Sequence, residues 1–257
     1  MRNHFLRAAG KALWTPAQIT TALWLDAADA GTVTTVSGAV SRWNDKSGNG
    51  RNVSQATSAN RPLYLTSQVN GLSALSFDGV NDAMSNTSIG LPIGATARTM
   101  FAVYKPQGNT SAANDICAQG IANSTGAWFA LEFRGTTGNV GDPYFAGFNA
   151  DLFDSAAVTT STKIASINYT GSVGTLKRNG SQIAAGTLSL STTGNAFKIG
   201  EAATAGQNAN MLMCEIVFLS SSANTATEQQ IEGYLAHKWG LNANLPDGHP
   251  YKSAPPT

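Results

Sequence analysis

The sequence is short of charge, histidine, glutamate and cysteine, and each shortage argues against a class of function. Only 12% of the 257 residues are charged and the net charge is +1; the charged share is about half the usual one. No Lys/Arg cluster stands out, so nucleic acid and anionic membrane surfaces are not expected partners. His4, His237 and His249 are the only histidines and lie too far apart to read as a zinc site. No Gly-x-Ser-x-Gly elbow precedes a helix. The glutamates are Glu132, Glu201, Glu215, Glu228 and Glu232, and no two stand two or four apart on one strand. The Glu-x-Asp-x-Glu strand that aims paired carboxylates into a glycosidase cleft is therefore missing. Together these absences set the expectation that the chain is not an enzyme. Cys117 and Cys214 lack C-x-x-C spacing and read better as buried free thiols than as a disulfide. No apolar run approaches the ~20 residues needed to cross a bilayer. The opening MRNHFLRAAGKAL is basic at its start but is interrupted by Arg7 and Lys11, unlike an export signal, so synthesis in a host cytoplasm without export is expected.

What the chain has instead is Gly, Ser, Thr, Asn and Ala, arranged as short β-prone runs between turn signals. Leu72–Phe77, Arg98–Tyr104, Trp128–Phe133, Tyr144–Phe148, Lys163–Tyr169 and Phe197–Gly200 all read as strands. Asn179-Gly180 between two such runs predicts a two-residue type I′ hairpin, and residues 33–40 predict another around Gly38. Turn signals at this density from about residue 30 to 210 predict an all-β sandwich of two antiparallel sheets.

The last fifth departs from this pattern. In Met211–Leu219 only Glu215 is charged, which predicts a strand buried on both faces. Thr225 followed by Glu228 has capping-box spacing, and Ile231, Tyr234, Leu235 and Trp239 share one face of a helix. Gly240 suits a left-handed terminus, with Pro246 and Pro250 beyond it. So short a helix must dock its apolar face on the sheet. Residues 1–13 read as an arm and residues 14–257 as one sandwich; Phe5, Leu6, Arg7 and Lys11 of the arm are the candidates to anchor it to a partner.

Read in order, Ala22–Asp26, Trp43–Gly50, Leu75–Asp82, Leu176–Gly180, Phe197–Gly200, Glu215–Phe218, Ile231–Gly240 and the Leu245-Pro246…His249-Pro250-Tyr251 tail resemble the concanavalin A-like jelly-roll family, laminin G-like branch. The resemblance covers about residues 14–251 and implies a jelly-roll sandwich with one C-terminal helix. The closing helix and tail are similar to modules of bacteriophage virion proteins and bacterial surface proteins. Together with the arm and the missing export signal, this implies a non-enzymatic virion structural protein: a capsid decoration or a tail-fibre accessory. Its partners would be other virion proteins and copies of itself. The alternative is a carbohydrate-binding, lectin-like module for host or glycan attachment.

Two sets of site residues follow. Laminin G-like sandwiches hold calcium at a sheet rim, which makes Asp45 with Asn49, Asp78 with Asp82, and Asp142 calcium candidates. The competing reading is that these carboxylates cap turns by accepting backbone N–H bonds. For a glycan, Trp128, Tyr144 and Phe148 beside Asp142 and Asn149 could form an aromatic platform on a concave face.

Overall fold

The computed structural model describes residues 12–108, 114–134, 142–153, 160–201 and 208–257. The chain begins with β1 (Leu23–Asp26), β2 (Val33–Val36), β3 (Ala39–Trp43) and β4 (Val53–Ser54). Then come β5 (Leu63–Val69), β6 (Leu72–Asp78), β7 (Met84–Asn86), β8 (Arg98–Pro106), β9 (Asn114–Gly120), β10 (Trp128–Phe133) and β11 (Pro143–Ala146). The remaining strands are β12 (Lys163–Tyr169), β13 (Val173–Arg178), β14 (Ser181–Thr187), β15 (Phe197–Ile199) and β16 (Asn210–Leu219), followed by helix α1 (Thr225–Trp239). The predicted hairpins form where both turn residues adopt positive φ. These are Ser37 (53°) with Gly38 (83°), and Asn179 (50°) with Gly180 (78°), as type I′ turns demand.

The strands pair antiparallel in two layers. The first runs β5–β6–β16–β8–β12–β13–β14, with β1 also beside β16. The second runs β11–β10–β9–β15–β7–β4–β3, with β2 on β3. A single pair, Ala39 with Leu63, joins the layers at a corner. Between them lies the main core, including Trp43, Phe77, Met100, Phe129, Phe133, Phe145, Phe197 and Phe218. The predicted all-β sandwich is thus the observed architecture.

β16 is buried on both faces, as its composition predicts. Met211, Met213, Ile216 and Phe218 enter the main core, while Leu212, Cys214, Val217 and Leu219 enter a second core beneath α1. The parity changes because the ladder to β8 shifts register between Met213 and Glu215. This bulge turns both Cys214 and Glu215 toward the helix. Ile231, Leu235, Ala236 and Trp239 of α1 close that second core. Both cysteines are free and buried, one in each core, and burial raises both thiols above their ordinary pKa.

Glu215 ties the helix to the sheet. Its Oε1 accepts from Trp24 Nε1 (2.7 Å) and Tyr234 Oη (2.8 Å). Its Oε2 accepts from Lys238 Nζ (2.7 Å) and Trp239 Nε1 (2.7 Å). Lys238 also bonds Asp26 Oδ1 at 2.6 Å. Burial pushes the Glu215 carboxyl upward while the Lys238 ammonium pulls against it. Asp26, despite the upward push of burial, is held below the usual range by Lys238 and Lys46.

The helix cap differs from the sequence expectation. The N-cap is Asn224, whose side chain accepts from Thr227 N at 2.9 Å, rather than Thr225 in a box with Glu228. Glu228 instead reaches out to Lys177 Nζ (2.7 Å) and Asn168 Nδ2 (3.0 Å), locking α1 to β12 and β13. Gly240 ends the helix at φ 72° as expected. The arm residues Phe5, Leu6, Arg7 and Lys11 lie outside the described residues.

Candidate functional site

Alternation along β10 and β11 creates the site. Phe129, Leu131, Phe133 and Phe145 face the main core. Their neighbours Trp128, Ala130, Tyr144 and Ala146 form a separate cluster with Ala118 on the outer face of the second sheet. Register places Ala130 between Ala118 and Ala146, and Glu132 between Asp115 and Tyr144. The small side chains keep the centre of this face shallow, and the large and charged ones stand around it.

An aromatic stack rises at the β11 edge. The Phe153 ring lies against Tyr144 at 5.2 Å between centroids and 25° between planes. The Arg134 guanidinium sits 3.7 Å from the Tyr144 ring centroid. Tyr144 is only 6% exposed, but Phe153 is 60% exposed and presents its ring to solvent. Tyr144 Oη donates to Asp151 Oδ2 at 2.7 Å, and Asp151 Oδ1 accepts from Gly147 N at 2.8 Å. These bonds hold the loop that carries Phe148 and Asn149. Burial, the Asp151 carboxylate and its hydrogen bond keep the Tyr144 phenol protonated well above its ordinary pKa.

Beside the stack, Glu132 and Asp115 are both buried, and their side chains hydrogen-bond to each other. Burial raises the Glu132 carboxyl, against the downward pulls of that hydrogen bond and of Arg134. The face therefore offers a ring for stacking and carboxyls that accept hydrogen bonds. It also places there the Glu132 carboxyl, whose pKa burial raises above its ordinary value.

Of the predicted platform residues, the structure brings together Trp128 and Tyr144 on this face. Trp128 is 3% exposed and serves as its floor, not as an open platform. The predicted strand through Phe148 ends at Ala146. Phe148 (φ 56°) and Asn149 (φ 64°) form a left-handed turn, and Phe148 is 38% exposed. Asp142 does not join them; it forms an ion pair with Arg178 of β13, in the other sheet. Phe153, Glu132, Asp115 and Asp151 were not predicted. Glu132 has the same strand parity as Trp128, which was the available signal.

The calcium candidates act as turn caps. Asp45 Oδ1 accepts from Trp24 N (3.0 Å) and Ser47 N (2.9 Å), and Oδ2 from Ser47 Oγ (2.7 Å) and Arg51 N (3.0 Å). Asn49 turns its amide nitrogen, not its oxygen, to the carbonyls of Thr21 and Ala22. Asp78 Oδ1 accepts from the backbone of Val80, Asn81 and Asp82, and Asp82 Oδ2 accepts from Asp78 N. Burial and the neighbouring Asp78 charge raise Asp82 to about 6. Among the described residues no group of three or more His, Cys, Asp or Glu is placed to hold a metal.

No family model matches the chain, and no curated protein matches it. Solved structures do share its fold. A GH54 α-L-arabinofuranosidase soaked with 4-nitrophenyl α-L-arabinofuranoside superposes with a TM-score of 0.61 at 16% identity, covering 76% of this chain and 50% of that one. Domain 4 of AbnA, a GH43 extracellular arabinanase from Geobacillus stearothermophilus, in complex with arabinotriose, gives 0.58 at 14% identity over 80% and 95% of the two chains. The binding domain of Paraclostridial mosquitocidal protein 1 gives 0.58 at 12% identity over 83% and 52%. The chain spans about half the length of the arabinofuranosidase it matches. At this identity the likeness shows the fold: a β-sandwich shared with domains of carbohydrate-active proteins. It also corrects an expectation. The chain was expected not to be an enzyme, yet its sandwich recurs in glycoside hydrolases. The missing Glu-x-Asp-x-Glu strand removes only that one arrangement. The virion role expected from the sequence finds no support in these likenesses.

Proposed function

We propose that the chain is a concanavalin A-like carbohydrate-binding domain, and that the outer face of β9, β10 and β11 holds a neutral oligosaccharide. The observation that carries this reading is the Arg134–Tyr144–Phe153 stack, with the Phe153 ring open to solvent above buried carboxyls. A sugar ring laid on Phe153 would contact it through its C–H face, while its hydroxyls reach Asp151 and Asn149 at the rim. The low net charge of the chain favours a neutral glycan over a polyanionic one. The complex of the similar arabinanase domain with arabinotriose supports the reading and makes arabinotriose the first probe. A glycan array that includes arabino-, xylo- and gluco-oligosaccharides tests it. Binding to a defined group of neutral oligosaccharides is expected. No binding above background across such an array would count against the proposal.

A further inference from the structure

A cavity lies on the opposite side of the sandwich from the outer face, between β1, the loop after it, helix α1 and residues 255–256. Its volume is about 580 Å³, within the ~300–1,000 Å³ usual for small-molecule sites. One wall is aromatic. Trp14 and Trp24 both meet Tyr234 edge to face, with centroids 6.2 and 6.4 Å away and planes at 71° and 80°.

The polar end is built from paired charges. Lys238 gives its three N–H groups to Asp26 (2.6 Å), Glu215 (2.7 Å) and Tyr234 Oη (3.1 Å), so it is saturated. Lys46 bonds Asp26 Oδ2 at 2.9 Å and Asp29 Oδ2 at 2.8 Å, and an ammonium has a third N–H to give. The Asp29 side chain is 43% exposed, which leaves it accessible to a guest.

These features select a ligand class. Two ammoniums, Lys238 and Lys46, are shared among three carboxylates, Asp26, Asp29 and Glu215, so the site has no surplus cation to hold a phosphate or carboxylate guest. The Trp24 face that could cradle a cationic guest already carries Lys46 Nζ at 4.5 Å. What remains is a hollow walled by Trp14, Leu13, Leu72, Pro255 and Pro256, with a donor on Lys46 and an acceptor on Asp29 side by side. That combination matches the vicinal hydroxyls and apolar C–H face of a sugar.

We infer that this cavity is a second ligand site, for a neutral mono- or disaccharide bound between Trp14, Trp24 and the Lys46–Asp29 pair. It is separate from the outer-face site, which lies on the other sheet, and each can stand without the other.

The test is ¹⁹F NMR of the full chain labelled with 5-fluorotryptophan. Its five tryptophans give separate probes for the two sites. Trp14 and Trp24 line the cavity, and Trp128 lies under the outer face. The labelled protein is titrated with glucose, galactose, arabinose, N-acetylglucosamine, maltose and cellobiose, and with choline and inorganic phosphate as contrasts. The inference predicts saturable shifts of the Trp14 and Trp24 signals with at least one sugar. It predicts that Asp29→Ala, at a half-exposed position, keeps the fold and weakens that binding roughly tenfold or more. Sugar shifts confined to Trp128 would overturn the inference while leaving the outer-face proposal intact. It would equally be overturned by shifts of Trp14 and Trp24 with choline or phosphate alone, by no shift with any sugar, or by undiminished binding in Asp29→Ala.

Discussion

The two sheets each bury a strand glutamate on their outward side, and the two are satisfied in opposite ways. Glu215, on the helix side, accepts four hydrogen bonds from Trp24, Tyr234, Lys238 and Trp239. The two indole donors take no other acceptor named above, and the carboxylate ties helix to sheet, so the residue is structural. Glu132, on the outer face of the second sheet, meets another carboxyl, Asp115. Burial raises its pKa above the ordinary carboxyl value, against the pulls of its hydrogen bond with Asp115 and of Arg134. The difference separates two jobs: the carboxylate that ties helix to sheet holds the fold, while Glu132 lies under the face proposed above to bind a ligand.

The comparison can be broken first at Glu215. Glu215→Ala should destabilise the protein by about 3–5 kcal/mol, because it leaves two buried indole N–H groups without their acceptor and takes one of the two carboxylates from Lys238. Urea unfolding measures this, and a loss under about 1 kcal/mol would remove the distinction between the glutamates. Trp239→Ala, which empties the second core, should cost a similar ~3–5 kcal/mol by the same measurement. Glu132→Gln should change stability by less than about 1 kcal/mol, since an amide can donate to Asp115 and no carboxyl–carboxyl contact remains. The smallest effect concerns Asp82. Its folded pKa is raised from 3.8 to about 6, so the folded state binds the extra proton. Its contribution is therefore present in full below about pH 3.8 and fades as pH rises through about 6. Asp82→Asn should accordingly raise Tm at pH 8 relative to wild type and leave it nearly unchanged at pH 4. An equal gain at both values would show that its ionisation is not the cause.

Much of the fold was legible because its signals are local. The positive-φ pair Asn179-Gly180, the alternation of Trp128–Phe133 and the apolar run of Met211–Leu219 each specify their own geometry. The site was less legible because it is assembled across strands. Asp115 lies on β9, whose sequence Asn114–Gly120 mixes polar and small residues and gives no strong strand signal. Without β9, Glu132 has no visible partner. Glu215 was seen as the one charge in an apolar strand, but the bulge after Met213 that turns it toward α1 arises from pairing with β8. Strict alternation would have aimed it into the main core. Phe153 reads as a lone aromatic until the turn at Phe148 and Asn149 folds it back onto Tyr144. Asp45 and Asp78 show the converse. Their Asx-turn reading was available from sequence, and their geometry is that of turn caps.

The most direct test of the outer-face site is isothermal titration of arabinotriose, or of the strongest array ligand, into wild type and Phe153→Ala. Phe153 is 60% exposed, so its removal should leave stability within about 0.5 kcal/mol. The account predicts saturable binding by wild type and a loss of roughly tenfold or more in the variant. Equal affinity in the two proteins would contradict it.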